Sequence, residues 1–412
     1  MLIIFMRYCS ALLRELAEEK YVLVSGPRQS GKTTLAKHWA EGEDGAYLNW
    51  DAPKDRETIR AIFKSSGTYL LERRGLVLDE IHKHARWKQN LKGLFDTQQS
   101  LERSDQARVV VTGSARLDTY KRGGDSLLGR YNQIRLHPFS VGELARNFAP
   151  PPPPPEGDEW VKEQTDTRAL ASSVDVDELW HRLSQYSGFP EPYSKASLAH
   201  HSRWRLRRRD LVLREDIRDI SSIRELSLVE DLALLLPERV GSLLSLNSLR
   251  EDLGVAYDTV KSWIDVLERL YYCFRLRPFA SKLARSLTKE AKLYLWDWTE
   301  IEDPGARFEN MVGSHLLKTV HHWRDAGYGD YSLQYWRDKE KREIDFIVLL
   351  GRKAVAAIEC KLADTLPSPA LSRFAEHSPT TKTIQLVNSP NVWKRTHGTL
   401  VASASRWLPR LP

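Results

Sequence analysis

Residues 26–33 read Gly-Pro-Arg-Gln-Ser-Gly-Lys-Thr, and this stretch decides the fold of the first third of the chain. It fits the pattern G-x-x-x-x-G-K-T and lies between a β-rich run, Tyr21–Ser25, and the amphipathic start of a helix. Glycines let successive backbone N–H groups turn inward around phosphate oxygens, and a helix N-terminus adds partial positive charge. The stretch therefore predicts a phosphate-binding loop.

The side chains of this loop have distinct predicted roles. We expect Lys32 to reach the β- and γ-phosphates, and the hydroxyl of Thr33 to bind Mg²⁺. The pattern thus implies ATP and Mg²⁺ as cofactors. The residues predicted to bind them are Gly26, Pro27, Arg28, Gln29, Ser30, Gly31, Lys32, Thr33, Thr34 and Asp79.

A second motif follows at residues 75–80, where an apolar strand ends in two acids. Asp79 is predicted to hold the magnesium shell together with Thr33, and Glu80 to polarise the attacking water. An acidic pair at a strand end is often only a solvated turn. Beside a phosphate loop, however, the catalytic interpretation is favoured.

The next strand predicts a sensor for the γ-phosphate. The segment Thr-Gly-Ser-Ala-Arg at residues 112–116 places small hydroxyls and Arg116 at the strand end, and Ser114 is the candidate catalytic residue. Arg130 could neutralise charge on the phosphates in its own chain or in a neighbouring subunit of a homo-oligomer. A surface ion pair is an equally good interpretation of Arg130.

The pattern of apolar runs predicts an N-terminal α/β domain. β-rich runs at residues 46–48, 76–78, 109–112 and 131–136 alternate with helical stretches such as Trp87–Gln98, which indicates a parallel sheet with both faces covered. Six consecutive prolines at 150–155 then forbid helix and sheet. We expect a linker or insertion there, with the acidic piece after it mobile.

Residues 248–270 have the pattern of a helix-turn-helix, with the first helix ending at Gly254. Two β-like runs at 271–276 and 291–298 follow, and Lys282, Arg285 and Lys289 lie between them, so a winged helix is predicted. The second helix displays mixed charges rather than a basic face. Coupling of domains is therefore a slightly better interpretation than insertion into a DNA groove.

Residues 203–209 form the most basic stretch, with five arginines around Trp204 and Leu206. Such a composition suits contact with nucleic-acid phosphates. The alternative is a helix that buries Trp204 while its arginines pair with nearby acids. The candidate nucleic-acid contacts are Arg203, Arg205, Arg207, Arg208 and, further along, Arg337.

Two acidic motifs near the C-terminus also fall on predicted strands, one with Asp345 and one with Glu359 and Lys361. Because side chains two residues apart share a strand face, Glu359 and Lys361 point the same way. Such carboxylates can share a divalent ion while the lysine assists phosphodiester hydrolysis, and Glu309 on the preceding helix could complete the cluster. A merely charged strand edge is the alternative that the residues alone favour.

The motifs GPRQSGKTT, LVLDEIHK, VTGSAR, LLGRYNQIRLHPFSVGE, RFEN, EIDF and IECK together resemble a prokaryotic family of AAA-like P-loop ATPases. Its C-terminal domain is similar to PD-(D/E)xK restriction endonucleases. The resemblance implies a Mg²⁺-dependent ATPase, with Mg²⁺ or Mn²⁺ at Asp345, Glu359 and Glu309 and with Lys361 as a catalytic residue. It leaves open whether the C-terminal domain still cuts, and the six prolines depart from the family pattern.

The expected fold class is α/β, with a helical and winged-helix middle between two α/β domains. The chain is expected to comprise a P-loop domain at 1–149, a proline-rich linker or insertion at 150–175, a helical segment at 176–240, a winged-helix-like domain at 241–300 and a nuclease-like α/β domain at 301–412.

Composition limits the remaining choices. The 412 residues carry a formal charge of +7 with a pI near 9.1, a mild basic excess that suits a polyanionic partner. Three scattered cysteines favour a reducing cytoplasm, and no charge-free stretch has the length of a membrane span. Two functions follow: an ATP-driven enzyme that acts on DNA through the nuclease-like domain, or a non-cutting ATP switch that binds DNA or a protein.

Overall fold

The structure is a computed structural model that describes residues 6–65, 74–102, 105–113, 127–163, 175–220, 223, 225–279, 290–363 and 366–412. The chain divides into two compact units, residues 1–137 and 138–412. No helix in the described ranges combines the length and apolar character that crossing a bilayer requires.

The first unit is a parallel sheet with helices between its strands. Its elements are α1 (Ser10–Glu19), β1 (Tyr21–Ser25), α2 (Lys32–Gly42), β2 (Ala46–Asn49), α3 (Pro53–Lys64), β3 (Gly75–Asp79), α4 (Trp87–Gln98), β4 (Arg108–Thr112) and β5 (Tyr131–Arg135). Every residue of β1 and of β3 is buried. Burial on both faces explains why these strands read as continuous apolar runs.

The strand order β2-β3-β4-β1-β5 brings the predicted motifs together. Since β4 lies between β1 and β3, Thr112 pairs in register with Val24 on one side and with Asp79 on the other. The phosphate loop follows β1, and Asp79 ends β3. The predicted N-terminal α/β fold with a parallel sheet is confirmed.

The second unit contains a helical part and a second sheet. Its helices are α5 (Val141–Ala145), α6 (Val176–Tyr186), α7 (Pro190–Lys195), α8 (Leu198–Asp210), α9 (Ile217–Ile220), α10 (Leu226–Leu235), α11 (Leu246–Leu253), α12 (Tyr257–Arg269), α13 (Pro304–Asp325), α14 (Pro369–His377) and α15 (Ala404–Trp407). Its strands are β6 (Cys273–Leu276), β7 (Lys292–Leu295), β8 (Tyr331–Arg337), β9 (Glu343–Leu350), β10 (Lys353–Lys361), β11 (Lys382–Val387), β12 (Trp393–Thr396) and β13 (Thr399–Ser403).

The helix pair α11 and α12 occurs where the sequence predicts it. Gly254 caps α11 in the left-handed conformation, with φ of 66°. The antiparallel pair β6–β7 follows α12, in the order that a winged helix requires. The predicted basic loop with Lys282, Arg285 and Lys289 lies outside the described residues, so the winged helix stays a prediction.

The C-terminal sheet has the order β12-β13-β11-β10-β9-β8. Strands β13, β11 and β10 run parallel, while β9 is antiparallel to both β10 and β8. Helix α13 packs against β8, β9 and β10. Gly313 permits close approach, because a Cβ there would lie 2.9 Å from the ring of Phe346. The predicted C-terminal α/β domain is confirmed at the level of fold class.

The segment after the prolines is more ordered than the sequence suggests. Gly157–Trp160 form a short 3-10 helix, and Trp160 is buried. Its carbonyl accepts a hydrogen bond from Trp407 Nε1 at 3.0 Å, and its ring stacks on that of Trp407. The expectation that this part is mobile is wrong for residues 156–163, because an apolar ring anchors them.

Residues 138–149, which the sequence analysis assigns to the P-loop domain, belong to the second compact unit. A buried ion pair joins this segment to α13. Lys318 Nζ lies 2.6 Å from Glu143 Oε2 and 2.9 Å from Ser140 Oγ, and both charged side chains are almost fully buried. The spacing of the sequence gives no sign of this pairing, because 175 residues separate the two partners.

We predict that Lys318→Met destabilises the second unit by about 3–5 kcal/mol, because Glu143 would be left as an uncompensated buried charge. Urea denaturation monitored by circular dichroism measures the loss. The control is Arg373→Ala, which removes an exposed i,i+3 pair with Glu376 and should cost less than about 1 kcal/mol. An unchanged midpoint for Lys318→Met would contradict the structural role of the pair.

Candidate nucleotide site and carboxylate cluster

The phosphate loop follows β1 with a backbone that requires glycine at two positions. Gly26 has φ of 145°, and a Cβ there would collide with the carbonyl oxygen of Leu136. Gly31 has φ of 98° and precedes the first residue of α2. Both glycines of the sequence pattern are therefore explained by conformation and space.

The side chains of the loop are held within it. Lys32 is buried, and its ammonium donates to the carbonyl oxygens of Gly26 at 3.0 Å and Pro27 at 2.8 Å. Gln29 Oε1 and Ser30 Oγ are buried with no hydrogen-bond partner in the described part of the chain. The loop thus brings a cation and polar groups to the start of α2, as binding of a phosphate chain requires.

Arg7 supports the loop from behind, a role that the sequence analysis missed. Its guanidinium donates to the carbonyl oxygens of Ser30 and His137, each at 2.6 Å. It is 3% exposed. In the sequence, Arg7 is a single cation that follows the apolar N-terminal run MLIIFM. Its hydrogen-bond partners lie 23 and 130 residues further along the chain, so the sequence does not indicate them.

Asp79 is the centre of the predicted magnesium site. One carboxylate oxygen accepts from Thr33 Oγ1 at 2.9 Å and from the Tyr47 hydroxyl at 2.6 Å. The other accepts from the hydroxyl of Thr112. The predicted pair Thr33 and Asp79 is thus brought together, whereas Tyr47 and Thr112 as partners of Asp79 follow from the strand order alone.

Glu80 directly follows Asp79 in a left-handed conformation, with φ of 55°. Its backbone N–H donates to the carbonyl of Thr112 at 3.1 Å, and its carboxylate lies 3.6 Å from Lys83 Nζ. Burial raises the pKa of Glu80 above its ordinary value, while the charge of Lys83 acts in the opposite direction. A carboxylate with a raised pKa is a better proton acceptor, which suits a general base.

The remaining predicted residues of this site have two outcomes. Ser114 and Arg116 lie outside the described residues, so their sensor role stays a prediction. Arg130 forms a bidentate ion pair with Asp96, at 2.7 and 3.1 Å. This agrees with the surface ion pair considered as the alternative, and an action on the phosphates of a neighbouring subunit would require that pair to open.

The basic stretch on α8 divides into exposed and buried arginines. Arg203 and Arg207 are exposed. Arg205 is partly buried and donates to the carbonyl of Thr299 at 3.1 Å. Arg203 and Arg207 are four residues apart, so their side chains lie one helical turn apart on the same face of α8.

Arg208 corrects the sequence-based prediction. It is 2% exposed, lies 3.6 Å from Glu300 Oε1 and covers the ring of Phe189 at 4.4 Å. A side chain so enclosed is a structural arginine and is inaccessible to a nucleic-acid phosphate. Trp204 is also buried, as the alternative interpretation of this helix expects.

Beside α8 lies an open cavity of about 690 Å³ with mixed charge. Arg205 and Arg209 line one part of it, and Glu238, Glu302 and Asp303 line another. Leu206 and Leu234 on its wall are 51% and 53% exposed. A phosphate backbone in this cavity would meet carboxylates, which leaves the outer face with Arg203 and Arg207 as the better basic surface.

The carboxylates predicted near the C-terminus do converge, but around a lysine that the sequence analysis did not select. The ammonium of Lys292 on β7 lies 3.1 Å from Glu309 Oε1, 2.6 Å from Glu343 Oε1 and 3.0 Å from Asp345 Oδ1. Burial alone lowers the pKa of Lys292, but the surrounding carboxylates, Asp345 foremost, raise it overall. Lys292 is therefore a cation that neutralises the cluster from within.

Glu359 and Lys361 share one face of β10, as predicted, and pair at 2.9 Å. Glu359 Oε2 is buried and has no hydrogen-bond partner in the described part of the chain. Burial raises the pKa of Glu359 to about 8 and that of Glu309 to about 7, and the charge of Asp345 acts in the same direction on both. The two acids therefore hold protons at a higher pH than ordinary glutamates.

The arrangement does not support the predicted divalent ion at Asp345, Glu359 and Glu309. Within the described ranges, no three Asp, Glu, His or Cys side chains converge so that they could hold a metal. Glu309, Glu343 and Asp345 instead surround the ammonium of Lys292. Arg337, predicted to contact phosphate, instead pairs with Glu343 at 3.1 Å, although 30% of its side chain remains exposed.

Three family models match successive parts of this chain. Residues 18–145 match the AAA domain, residues 177–299 match the domain of unknown function DUF8612, and residues 304–407 match DUF4143. The first match agrees with the phosphate loop, the parallel sheet and the contacts of Asp79. The N-terminal part is thus an AAA-type P-loop ATPase domain, whereas the endonuclease-like interpretation of the C-terminal domain stays a prediction.

Two curated relatives are similar over most of the chain. The uncharacterized protein Rv2008c of Mycobacterium tuberculosis is 24% identical over 372 residues, which cover 88% of this chain and 74% of the relative. The uncharacterized protein Mb2031c of Mycobacterium bovis matches to the same extent.

Solved structures with partial similarity include two nucleic-acid motors or initiators. The RuvB Holliday junction branch migration motor of Thermotoga maritima is 18% identical with a TM-score of 0.27, covering 65% of this chain and 87% of RuvB. The replication initiator DnaA bound to AMPPCP and single-stranded DNA is 14% identical with a TM-score of 0.29, covering 63% and 86%.

We predict that the second unit loses stability as the pH rises from about 5 to about 8, because the buried site of Glu359 favours the protonated form of its carboxyl. Its pKa is raised in the folded state, so the unfolded chain releases the proton first and rising pH favours unfolding. Glu359→Gln mimics the neutral acid and should flatten this dependence by at least about 1 kcal/mol.

Urea midpoints at several pH values measure the effect. The matched control is Glu376→Gln on the exposed face of α14, which should leave the pH profile of the wild type in place. Identical profiles of stability against pH for Glu359→Gln and the wild type would contradict the prediction, because Glu359 would then ionise without a loss of folding free energy.

Proposed function

We propose that this chain is a magnesium-dependent ATPase whose nucleotide cycle controls the binding of a partner, which its C-terminal domain does not cut. The contact of Thr33 Oγ1 with Asp79 Oδ2 at 2.9 Å carries the first part of the proposal. It supports a site at which a hydroxyl and a carboxylate lie side by side, the oxygen ligands that Mg²⁺ prefers.

The residues of the site fit Mg²⁺, since Thr33 and Asp79 would hold it directly or through water. A bound Mg²⁺ would neutralise charge on the phosphate oxygens. Lys32 would turn from the carbonyls of Gly26 and Pro27 to the β- and γ-phosphates, because charged phosphate oxygens attract its ammonium more strongly than neutral carbonyl oxygens do. The backbone N–H groups of the loop would bind the remaining phosphate oxygens.

Glu80 would serve as the general base. Its carboxylate accepts the proton of a water molecule as the water oxygen attacks the γ-phosphorus, and the bond to the ADP oxygen breaks. The raised pKa of Glu80 supports this role. Thr112 would fix the position of Asp79 next to it, because its hydroxyl donates to that carboxylate.

We predict that Lys32→Ala strongly weakens ATP binding, whereas Glu80→Gln keeps the binding but lowers kcat by about 10²-fold or more. The lysine contributes charge in the bound state, while the glutamate acts on the attacking water. Isothermal titration calorimetry with ATP and Mg²⁺ measures the first effect, and phosphate release measures the second.

The control variants are Lys54→Ala and Glu57→Gln, which change exposed side chains of α3 in the same unit. Both should behave as the wild type. The assignment of the loop is wrong if Lys32→Ala binds ATP with the affinity of the parent, and the role of Glu80 is wrong if Glu80→Gln hydrolyses ATP at the parent rate.

The second part of the proposal concerns the partner. We favour a nucleic acid, because the chain is basic overall and Arg203 and Arg207 present two exposed cations on one face of α8. The neutralised carboxylate cluster supports binding without cleavage. The alternative is a protein partner at the mixed cavity beside α8. Assembly into a homo-oligomer and a cytoplasmic location are further parts of the proposal.

We predict that Arg203→Gln with Arg207→Gln reduces the slope of log affinity against log salt by roughly 1–2 for single- or double-stranded DNA. With fewer phosphate contacts, the variant releases fewer counterions from the DNA when it binds. Fluorescence anisotropy over a range of salt concentrations measures the slope. A double variant at exposed residues of another helix, Lys261→Gln with Arg269→Gln on α12, serves as the matched control.

An unchanged slope in the α8 variant would remove this face from the proposal. A fall in the α12 control of equal size would instead place the contact on the helix pair α11 and α12. No binding to DNA or RNA by the wild type would leave the protein partner as the better candidate.

A further inference from the structure

Lys292 occupies an unusual position for a lysine. It is 1% exposed, and its ammonium contacts carboxylates from α13 and β9, at 3.1 Å for Glu309, 2.6 Å for Glu343 and 3.0 Å for Asp345. These distances are those of charge-assisted hydrogen bonds. An ammonium with three donors is thus matched to three acceptors.

The oxygens that contact Lys292 are those that a divalent ion would need. A Mg²⁺ or Mn²⁺ ion binds carboxylate oxygens at about 2.0–2.2 Å, so it would have to lie where the ammonium lies. Glu309 Oε1 and Asp345 Oδ1 each contact the ammonium, and the second oxygen of Asp345 accepts from the backbone N–H of Cys360 at 2.9 Å. Lysine and metal therefore compete for one place.

We propose that Lys292 is a resident cation that takes the place of a divalent metal ion, so that its removal alone would open a metal site in the C-terminal domain. The second lysine of the cluster has a different environment. Lys361 contacts Glu359, and 41% of its side chain is exposed, so its ammonium remains hydrated and does not lie between the carboxylates.

The carboxylates have other partners that would keep them in place without Lys292. Glu309 Oε1 accepts from the Tyr294 hydroxyl at 2.8 Å, and Asp345 is held by the backbone of β10. Glu343 pairs with Arg337 at 3.1 Å. Three of the acids are therefore positioned independently of the lysine that they neutralise.

Glu359 supplies an additional observation that points to an absent ligand. Its Oε2 atom is buried and has no hydrogen-bond partner in the described ranges, although buried carboxylate oxygens are normally satisfied. The charges of Asp345 and Lys292 both act on the Glu359 carboxyl, so this residue belongs to the same cluster. Its Oε2 atom is thus an oxygen that a cation bound in the cluster would satisfy.

Titration of the full chain with Mn²⁺, followed by electron paramagnetic resonance in the absence of nucleotide, tests the proposal. The wild type should leave Mn²⁺ free, and Lys292→Met should bind one ion per chain at least about tenfold more tightly. Adding Asp345→Asn to Lys292→Met should abolish this gain, which separates the cluster from the phosphate loop. Mn²⁺ should also raise the melting temperature of Lys292→Met and not that of the wild type.

Two controls separate loss of charge from loss of the resident cation. Lys361→Met also removes a lysine of the cluster but should gain no ion, and Lys292→Arg keeps a cation in place and should likewise gain none. If Lys292→Met does not fold, Lys292→Gln replaces it in the same titration, with the same expected gain of one ion.

Binding of Mn²⁺ by the wild type that Asp345→Asn removes would overturn the proposal, as would a folded Lys292→Met that binds no Mn²⁺. These measurements use no nucleotide, so they stand or fall separately from ATP hydrolysis. Cleavage of nucleic acid by the wild type with Mn²⁺, lost in Glu359→Gln, would also overturn it.

Discussion

A charge that is buried without a partner costs several kcal/mol, and this constraint shapes both units of the protein. Asp79 is 3% exposed and is surrounded by three hydroxyl donors. Lys318 meets Glu143, and Lys292 meets three carboxylates. In each case, the fold brings the partner from a distant part of the sequence.

In the first unit, this constraint coincides with function. The order of the parallel strands places Thr112 between the phosphate loop and Asp79, so that the acid is held ready by neutral donors rather than by a cation. A metal ion can displace a hydroxyl from such a carboxylate more readily than it can displace an ammonium. Arg7 supports the loop through backbone carbonyls, which leaves the polar groups of Gln29 and Ser30 for the ligand.

In the second unit, the acids and the cation that neutralises them come from different elements of the fold. Strands β9 and β10 carry acids in the pattern that resembles metal-dependent nucleases, and α13 adds Glu309. The cation at their centre, however, comes from β7, outside that pattern. A side chain from a neighbouring element therefore determines which cation contacts these carboxylates in the structure.

The sequence alone determined the local features of this protein. The phosphate loop, the acidic strand end at Asp79, the strands of the first sheet and the helix pair ending at Gly254 all depend on short-range glycine geometry and on the period of apolar residues, which neighbouring residues carry. The C-terminal pair of Glu359 and Lys361 follows from the alternation of a single strand.

Only the tertiary structure decided which charges are available. Arg208 looks like its exposed neighbours in the sequence but is enclosed by Phe189 and Glu300, and Arg7 and Lys292 find partners through elements far away in the chain. Burial and pairing depend on how elements pack, and no local pattern encodes the distance between residues 53 or 130 positions apart. For that reason the placement of Thr33 beside Asp79 could be predicted from sequence, whereas the pairing of Lys292 with the carboxylates could not.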